Sequence, residues 1–89
     1  MSDRYSIEVR ITPRPGILDP EGETIARALD NLGYEGIGGV RAGRLVRMEV
    51  EADTGEAARA TVERMCRELI ANPIIEDFEV LIHTAEDGG

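Results

Sequence analysis

The sequence predicts an α+β sandwich of ferredoxin-like type, in the order β-α-β-β-α-β, with an antiparallel sheet and both helices on one of its faces. Three observations carry that prediction. Apolar and polar residues alternate from Tyr5 to Thr12, and Phe78, Val80 and Ile82 fall on one side of a last strand. Two amphipathic segments between them open on capping residues and close on Gly or Asn-Pro. The length, 89 residues, allows one domain, and a domain of this size buries roughly 60–65% of its unfolded surface, so its core is thin.

The first strand is read from Tyr5, Ile7, Val9 and Ile11, which alternate with Ser6, Glu8, Arg10 and Thr12. A period of two marks a half-buried strand. Pro13 and Pro15 end it, since neither can donate to a ladder. Asp19 before Pro20 signals a helix start, with Asp19 capping and Pro20 at the first helical position. Glu21 and Glu23 suit the positive end of the dipole. Ile25, Leu29 and Leu32, with Ala28 beside them, form one apolar stripe, and Gly33 closes the helix.

Residues 37–50 are strand-like but interrupted by Gly36, Gly38, Gly39 and Gly43. Two arrangements fit: a hairpin turning near Gly43, slightly preferred, or one long strand with a bulge there. Asp53 and Glu56 have capping-box spacing. The second helix follows, with Ala58, Val62, Met65, Cys66, Leu69 and Ile70 on one face and charged residues on the other. Glu63 and Arg67 have the favourable i,i+4 order. Asn72 in a left-handed conformation and then Pro73 end the helix. Residues 74–83 form the last strand, with Phe78, Val80 and Ile82 on one side. The whole of 1–83 reads as a single domain, and 84–89 as a disordered acidic tail.

Composition excludes several function classes. The formal net charge is −8, and the aromatics are Tyr5, Tyr34 and Phe78 alone. Phosphates and anionic membranes would be repelled, and no base-stacking platform exists. No run approaches the roughly 20 apolar residues of a membrane span, and the first residues lack the apolar core of a signal peptide. Cys66 has no partner for an internal disulfide. Together these point to a cytoplasmic protein. All ten basic residues are arginine.

Catalytic chemistry is missing. Cys66 lies on an apolar helix face, and the one histidine, His83, is at the far end of the last strand, so neither a cysteine nucleophile nor a metal site is indicated. Glu49 with Glu51 and Glu76 with Asp77 read as solvated strand positions, not as an acid/base pair of separated pKa values. The glycines at 36–39 are followed by no lysine and no helix, unlike a phosphate loop. An anion at the start of the first helix would meet Asp19, Glu21 and Glu23. An acylphosphatase-like hydrolase would need a glycine-rich cradle beside an arginine after the first strand. Arg14 is present there and the cradle is not.

Four segments are more specific: Pro13-Arg14-Pro15-Gly16-Ile17-Leu18-Asp19-Pro20-Glu21-Gly22, Leu32-Gly33-Tyr34, Val40-Arg41-Ala42-Gly43-Arg44, and Leu69-Ile70-Ala71-Asn72-Pro73-Ile74-Ile75-Glu76. In this order and spacing they resemble the PurS family, the small subunits of phosphoribosylformylglycinamidine synthase. The resemblance runs from Tyr5 to Ile82. It departs where Arg14 and Arg44 stand for the lysines frequent in relatives, and where Gly38-Gly39 loosens the strand region.

The resemblance implies a non-catalytic subunit in purine biosynthesis. It would bridge a glutaminase subunit, which releases ammonia from glutamine, and a large synthetase subunit. The large subunit uses ATP to activate the amide of formylglycinamide ribonucleotide for conversion to the amidine. No cofactor is expected in this chain, with ATP and magnesium in the large partner. A homodimer or homotetramer built through the sheets is also implied, in keeping with exposed strand edges. A partner interface would use Pro13, Arg14, Gly16, Ile17, Leu18, Arg41, Gly43, Arg44, Asn72 and Pro73.

Each of these residues has a plainer reading beside the functional one. Leu18 would staple the first helical turn. Arg41 and Arg44 would be solvated turn residues. Asn72 and Pro73 would only stop a helix. A different class of function, an ACT-like module that binds a small regulatory molecule at a dimer interface, shares the strand and helix order and rests on Gly16 alone.

Overall fold

The computed structural model describes residues 2–83, so the tail expected at 84–89 lies outside the described residues. The elements are β1 (Asp3–Pro13), α1 (Pro20–Asn31), β2 (Arg44–Ala52), α2 (Gly55–Met65) continued by one π-helical turn (Cys66–Ile70), and β3 (Glu76–His83). β1 is the central strand of an antiparallel sheet ordered β2-β1-β3. Its register runs from Asp3↔Ala52 to Ile11↔Arg44 on one side and from Ser6↔His83 to Pro13↔Glu76 on the other. The α+β class and the antiparallel sheet are those expected.

The core lies between this sheet and α2. Ile7, Val9 and Ile11 of β1 meet Ala58, Val62 and Cys66 of the second helix, with Val80 and Ala71 closing the rim. Each fully buried aliphatic side chain contributes about 1.5–3 kcal/mol relative to exposure. The alternation read in β1 is thus the packing pattern itself. Its other face, with Ser6, Glu8 and Arg10, carries no helix, as one face of an antiparallel sheet can. Glu8 is held there by Arg10 at 2.8 Å and Arg47 at 3.6 Å, and the Arg10 hydrogen bond is the main cause of its lowered pKa.

Several expectations are corrected. Residues 37–43 form no strand, so neither the hairpin nor the long bulged strand occurs and β2 begins at Arg44. The glycines at 36, 38 and 39 give this stretch no side chains to pack, and Gly36 and Gly39 adopt positive φ. The expectation of two helices over the sheet holds for α2. By contrast, α1 stands off the sheet, and its only buried residue is Gly22. Its apolar stripe is real, but Ile25 and Leu32 are exposed.

The second helix starts one residue later than its capping-box spacing suggests. Thr54 caps it, accepting from Ala57 N at 3.0 Å, while Asp53 accepts from the Ser2 hydroxyl. Its last turn widens to π geometry, which shifts the phase of the residues beyond Cys66. Leu69 is therefore 86% exposed and Ala71 is buried in its place. Arg67 sits in the same widened turn, and among the described residues it makes no ion pair with Glu63.

Asn72 is not left-handed, for among the described residues none other than glycine has positive φ. Its side-chain Oδ1 instead accepts from Ile74 N at 3.1 Å, and its carbonyl accepts from Ile75 N and Glu76 N. This Asx-type turn around Pro73 delays β3 to Glu76 and leaves Ile74 exposed. The end of α1 is as expected: Gly33 has φ +97°. Tyr34 N donates to Leu29 O and Gly33 N to Asp30 O, a full Schellman closure.

Candidate functional site

The expected interface residues come together at one end of the sheet, where β1 ends and β2 and β3 begin. Arg44 lies opposite Ile11 and Glu76 opposite Pro13, so both side chains share the helix-covered face with Ile11 and Pro13. From β2 the Arg44 guanidinium reaches across the end of β1. It donates to Glu76 Oε1 at 2.8 Å and to the Ile70 carbonyl at 3.2 Å. That carbonyl belongs to the last turn of the helix, where backbone acceptors are left over and a cation is favoured.

Glu76 is the hub of this end. The same Oε1 accepts from Asn72 N at 2.8 Å. The Asn72 amide is the first cause of its lowered pKa, and Arg44 adds to it. Arg14, across the strand end, makes an ion pair with Asp77 at 3.4 Å and donates to the Glu76 carbonyl. Its own amide donates to Ile75 O at 2.9 Å. Arg14 and Arg44 therefore tie together the end of β1, β2, the last helical turn and β3 through bonds that span 26 to 62 residues of sequence.

A second group fixes the loop before α1. The Arg41 guanidinium donates to the carbonyls of Pro13 and Arg14, the latter at 2.9 Å. Asp19 accepts from Gly22 N at 3.0 Å through one oxygen and from Ala42 N at 2.8 Å through the other. Those two backbone donors, Ala42 first, hold its carboxyl below the ordinary 3.8. Gly43 sits where a Cβ would lie 2.2 Å from Ile11 O, and Gly22 where one would lie 2.6 Å from Val40 O. These two positions admit no side chain.

Gly16 has φ +85° and open space around it, which turns the loop outward. Ile17 is half-buried. Leu18 is 70% exposed and does not staple the helix. With Ile17, Val40 and Ala26 it edges a shallow cleft beside α1. Pro73 is exposed in its turn. Sequence reasoning missed Glu76 as a hub, the second role of Asp19, and Gly22. All three lie within the motif segments, but nothing local says that their partners are so distant.

Elsewhere the chemistry is sparse. Burial pushes the Cys66 thiol pKa up, and its side chain is fully enclosed. Among the described residues no three His, Cys, Asp or Glu side chains cluster as metal ligands, and no helix is long and apolar enough to cross a membrane. The corner just described uses charged side chains to hold backbone groups of distant segments together.

The family model for PurS, described as phosphoribosylformylglycinamidine (FGAM) synthase, matches residues 6–84. The chain belongs to the PurS family. It is 37% identical over 82 residues to the PurS subunit of phosphoribosylformylglycinamidine synthase from Methanocaldococcus jannaschii, covering 92% of this chain and 99% of that one. To the same subunit from Methanothermobacter thermautotrophicus it is 39% identical over 83 residues, covering 93% and 98%. Among solved structures, the Thermotoga maritima PurS subunit superimposes with a TM-score of 0.84 at 31% identity, covering 93% of this chain and 95% of that one. A chain in the Thermotoga maritima PurLQS structure does so at 0.82 and 32% identity, covering 90% and 98%. The PurS match spans every motif segment and both groups of interactions at the strand ends.

Proposed function

We propose that this chain is the small, non-catalytic subunit of a phosphoribosylformylglycinamidine synthase, bridging its glutaminase and large synthetase subunits. The observation that carries the reading is the family match across 6–84. The site agrees in kind, because Arg14 and Arg44 tie the strand ends and the last helical turn into a stiff end to the sheet. ATP and magnesium belong to the large partner, and the assembly works in the cytoplasm.

The physical need for such a subunit follows from its substrate. Ammonia released into neutral water protonates and ceases to be a nucleophile, so two active sites must be docked with a dry path between them. Shape and stiffness serve that end. Exposed Leu18, at the cleft it lines with Ile17, Glu23 and Arg41, supplies an apolar contact within a charged surround. Exposed Leu69 and Ile74, which flank in sequence the Ile70 carbonyl and the Pro73 turn, supply a second. Mixing the chain with the two larger subunits should shift it to their elution volume on gel filtration; continued elution as a free small protein would overturn the reading.

The chain acts as a homo-oligomer. Among the described residues, Ile25 and Leu32 of the α1 stripe are exposed and the outer edge of β2 pairs with no other strand. A second copy would cover both. Light scattering at micromolar concentration should give a mass at least twice 9.7 kDa; a single 9.7 kDa species would refute it.

A further inference from the structure

The way α1 is attached differs from the way every other element is attached. The strands and α2 are held by a shared apolar core. No residue of α1 belongs to that core, and its one buried residue is a glycine. What joins the segment 19–42 to the rest of the molecule is polar. Asp19 Oδ2 accepts from Ala42 N, so the two ends of the segment are tied to each other. Arg41, just inside the second end, donates to the Pro13 and Arg14 carbonyls at the end of β1. The outgoing chain passes Gly16 at φ +85°, and the incoming chain passes Gly43.

We infer that residues 19–42 form an arm that opens from the sheet as one unit, with the Asp19–Ala42 bond closing its neck and Arg41 anchoring that neck to β1. The neck keeps the arm intact. Gly22 packs against Val40 O with no room for a side chain, so helix and return segment meet closely once Asp19 draws them together. The anchor sets the angle between arm and sheet. Neither contact touches the core, so the arm is re-aimed without any loss of buried apolar area. The exposed stripe of α1 is thereby presented on a mount separate from the body of the protein. This inference does not rest on the proposed function.

Native-state hydrogen exchange of the full chain, read by mass spectrometry, tests it. In the wild type, amides of 21–42 should exchange as a group, at lower protection than those of 7–11, 46–50 and 78–82. Asp19→Asn keeps one acceptor oxygen and loses the other, so it cannot serve both Gly22 N and Ala42 N. Arg41→Gln removes the charged anchor. Each should speed exchange in 21–42 by roughly tenfold, the loss of one strong hydrogen bond, and leave the sheet within about twofold. Glu21→Gln, exposed on the first turn, should change neither. If arm and sheet amides accelerate together, the arm is not a separate unit and the inference fails. It fails equally if neither Asp19→Asn nor Arg41→Gln changes exchange in 21–42.

Discussion

Gly43→Ala puts a methyl group where the structure has none to spare. Its Cβ would lie 2.2 Å from Ile11 O and 3.0 Å from Thr12 Cγ2. Ordinary contact begins near 3.4 Å, so backbone must move by about 1 Å. The closest atom it meets is backbone, so turning a side chain aside does not relieve the clash. The Ile11↔Arg44 pair is the last rung of the β1–β2 ladder, and that rung opens first. Overpacking of this kind costs about 1–3 kcal/mol, and the strained rung adds about 1 kcal/mol. A total of about 2–4 kcal/mol is large against the roughly 4–13 kcal/mol expected for a chain of this length. Urea unfolding at fixed protein concentration should show the midpoint lower by at least about 1 M, for a slope of ~1–2 kcal/mol/M. Gly38→Ala is the control: Gly38 has open space and no positive φ, so its cost should stay within about 0.5 kcal/mol. Equal midpoints for the two variants would refute the close approach at Gly43.

Acid should destabilise the fold. Glu8, Asp19 and Glu76 all have pKa values lowered in the folded state, so the stability they contribute is present above their ordinary values of 4.5, 3.8 and 4.5 and is lost as pH falls through the lower folded ones. Thermal melting temperatures between pH 5 and pH 2.5 should fall steadily, and a flat profile would contradict this. The Cys66 thiol, enclosed and with a raised pKa, should resist a thiol reagent at pH 8 until the protein unfolds; labelling of the folded protein at the rate of a free thiol would show that helix face to be open. Leu18→Asp should leave the unfolding free energy from urea titration within about 0.5 kcal/mol, because the side chain is already exposed, while weakening co-elution with the larger subunits. A loss of more than about 1 kcal/mol would make Leu18 a staple of α1 after all.

What the sequence disclosed, and what it hid, divides by range. Strand alternation in β1, the Asp19-Pro20 start and the Gly33 closure are local, and each appears where the residues place it. The stripe on α1 was legible as a stripe, but amphipathicity does not say whose surface will cover it. Leu69 was misplaced because a π turn changes the helical phase, and no residue of Cys66–Ile70 announces one. Thr54 and Asp53 are both good capping residues, and only the contact of Asp53 with Ser2 separates them. Asn72 followed by Pro73 ends a helix whether it turns left-handed or folds as an Asx turn, so the pair predicts a stop without its geometry.

The candidate site shows the same limit. Its residues could be named from motif segments, yet their work could not. Arg41 and Arg44 look alike in sequence, three residues apart. One anchors the loop after β1, and the other crosses that strand to Glu76. Both bind backbone carbonyls 26 to 28 residues away, a relation set by topology and invisible to spacing.

The central claim is that this chain lends shape to chemistry done by its partners. Its most direct test measures formation of formylglycinamidine ribonucleotide by the two larger subunits, with and without an equimolar amount of the chain, once with glutamine and once with ammonium as the nitrogen source. The account predicts a rise in the glutamine-driven rate, little change in the ammonium-driven rate, and no turnover by the chain alone. A glutamine-driven rate that ignores the chain, or product formed by the chain by itself, would contradict it.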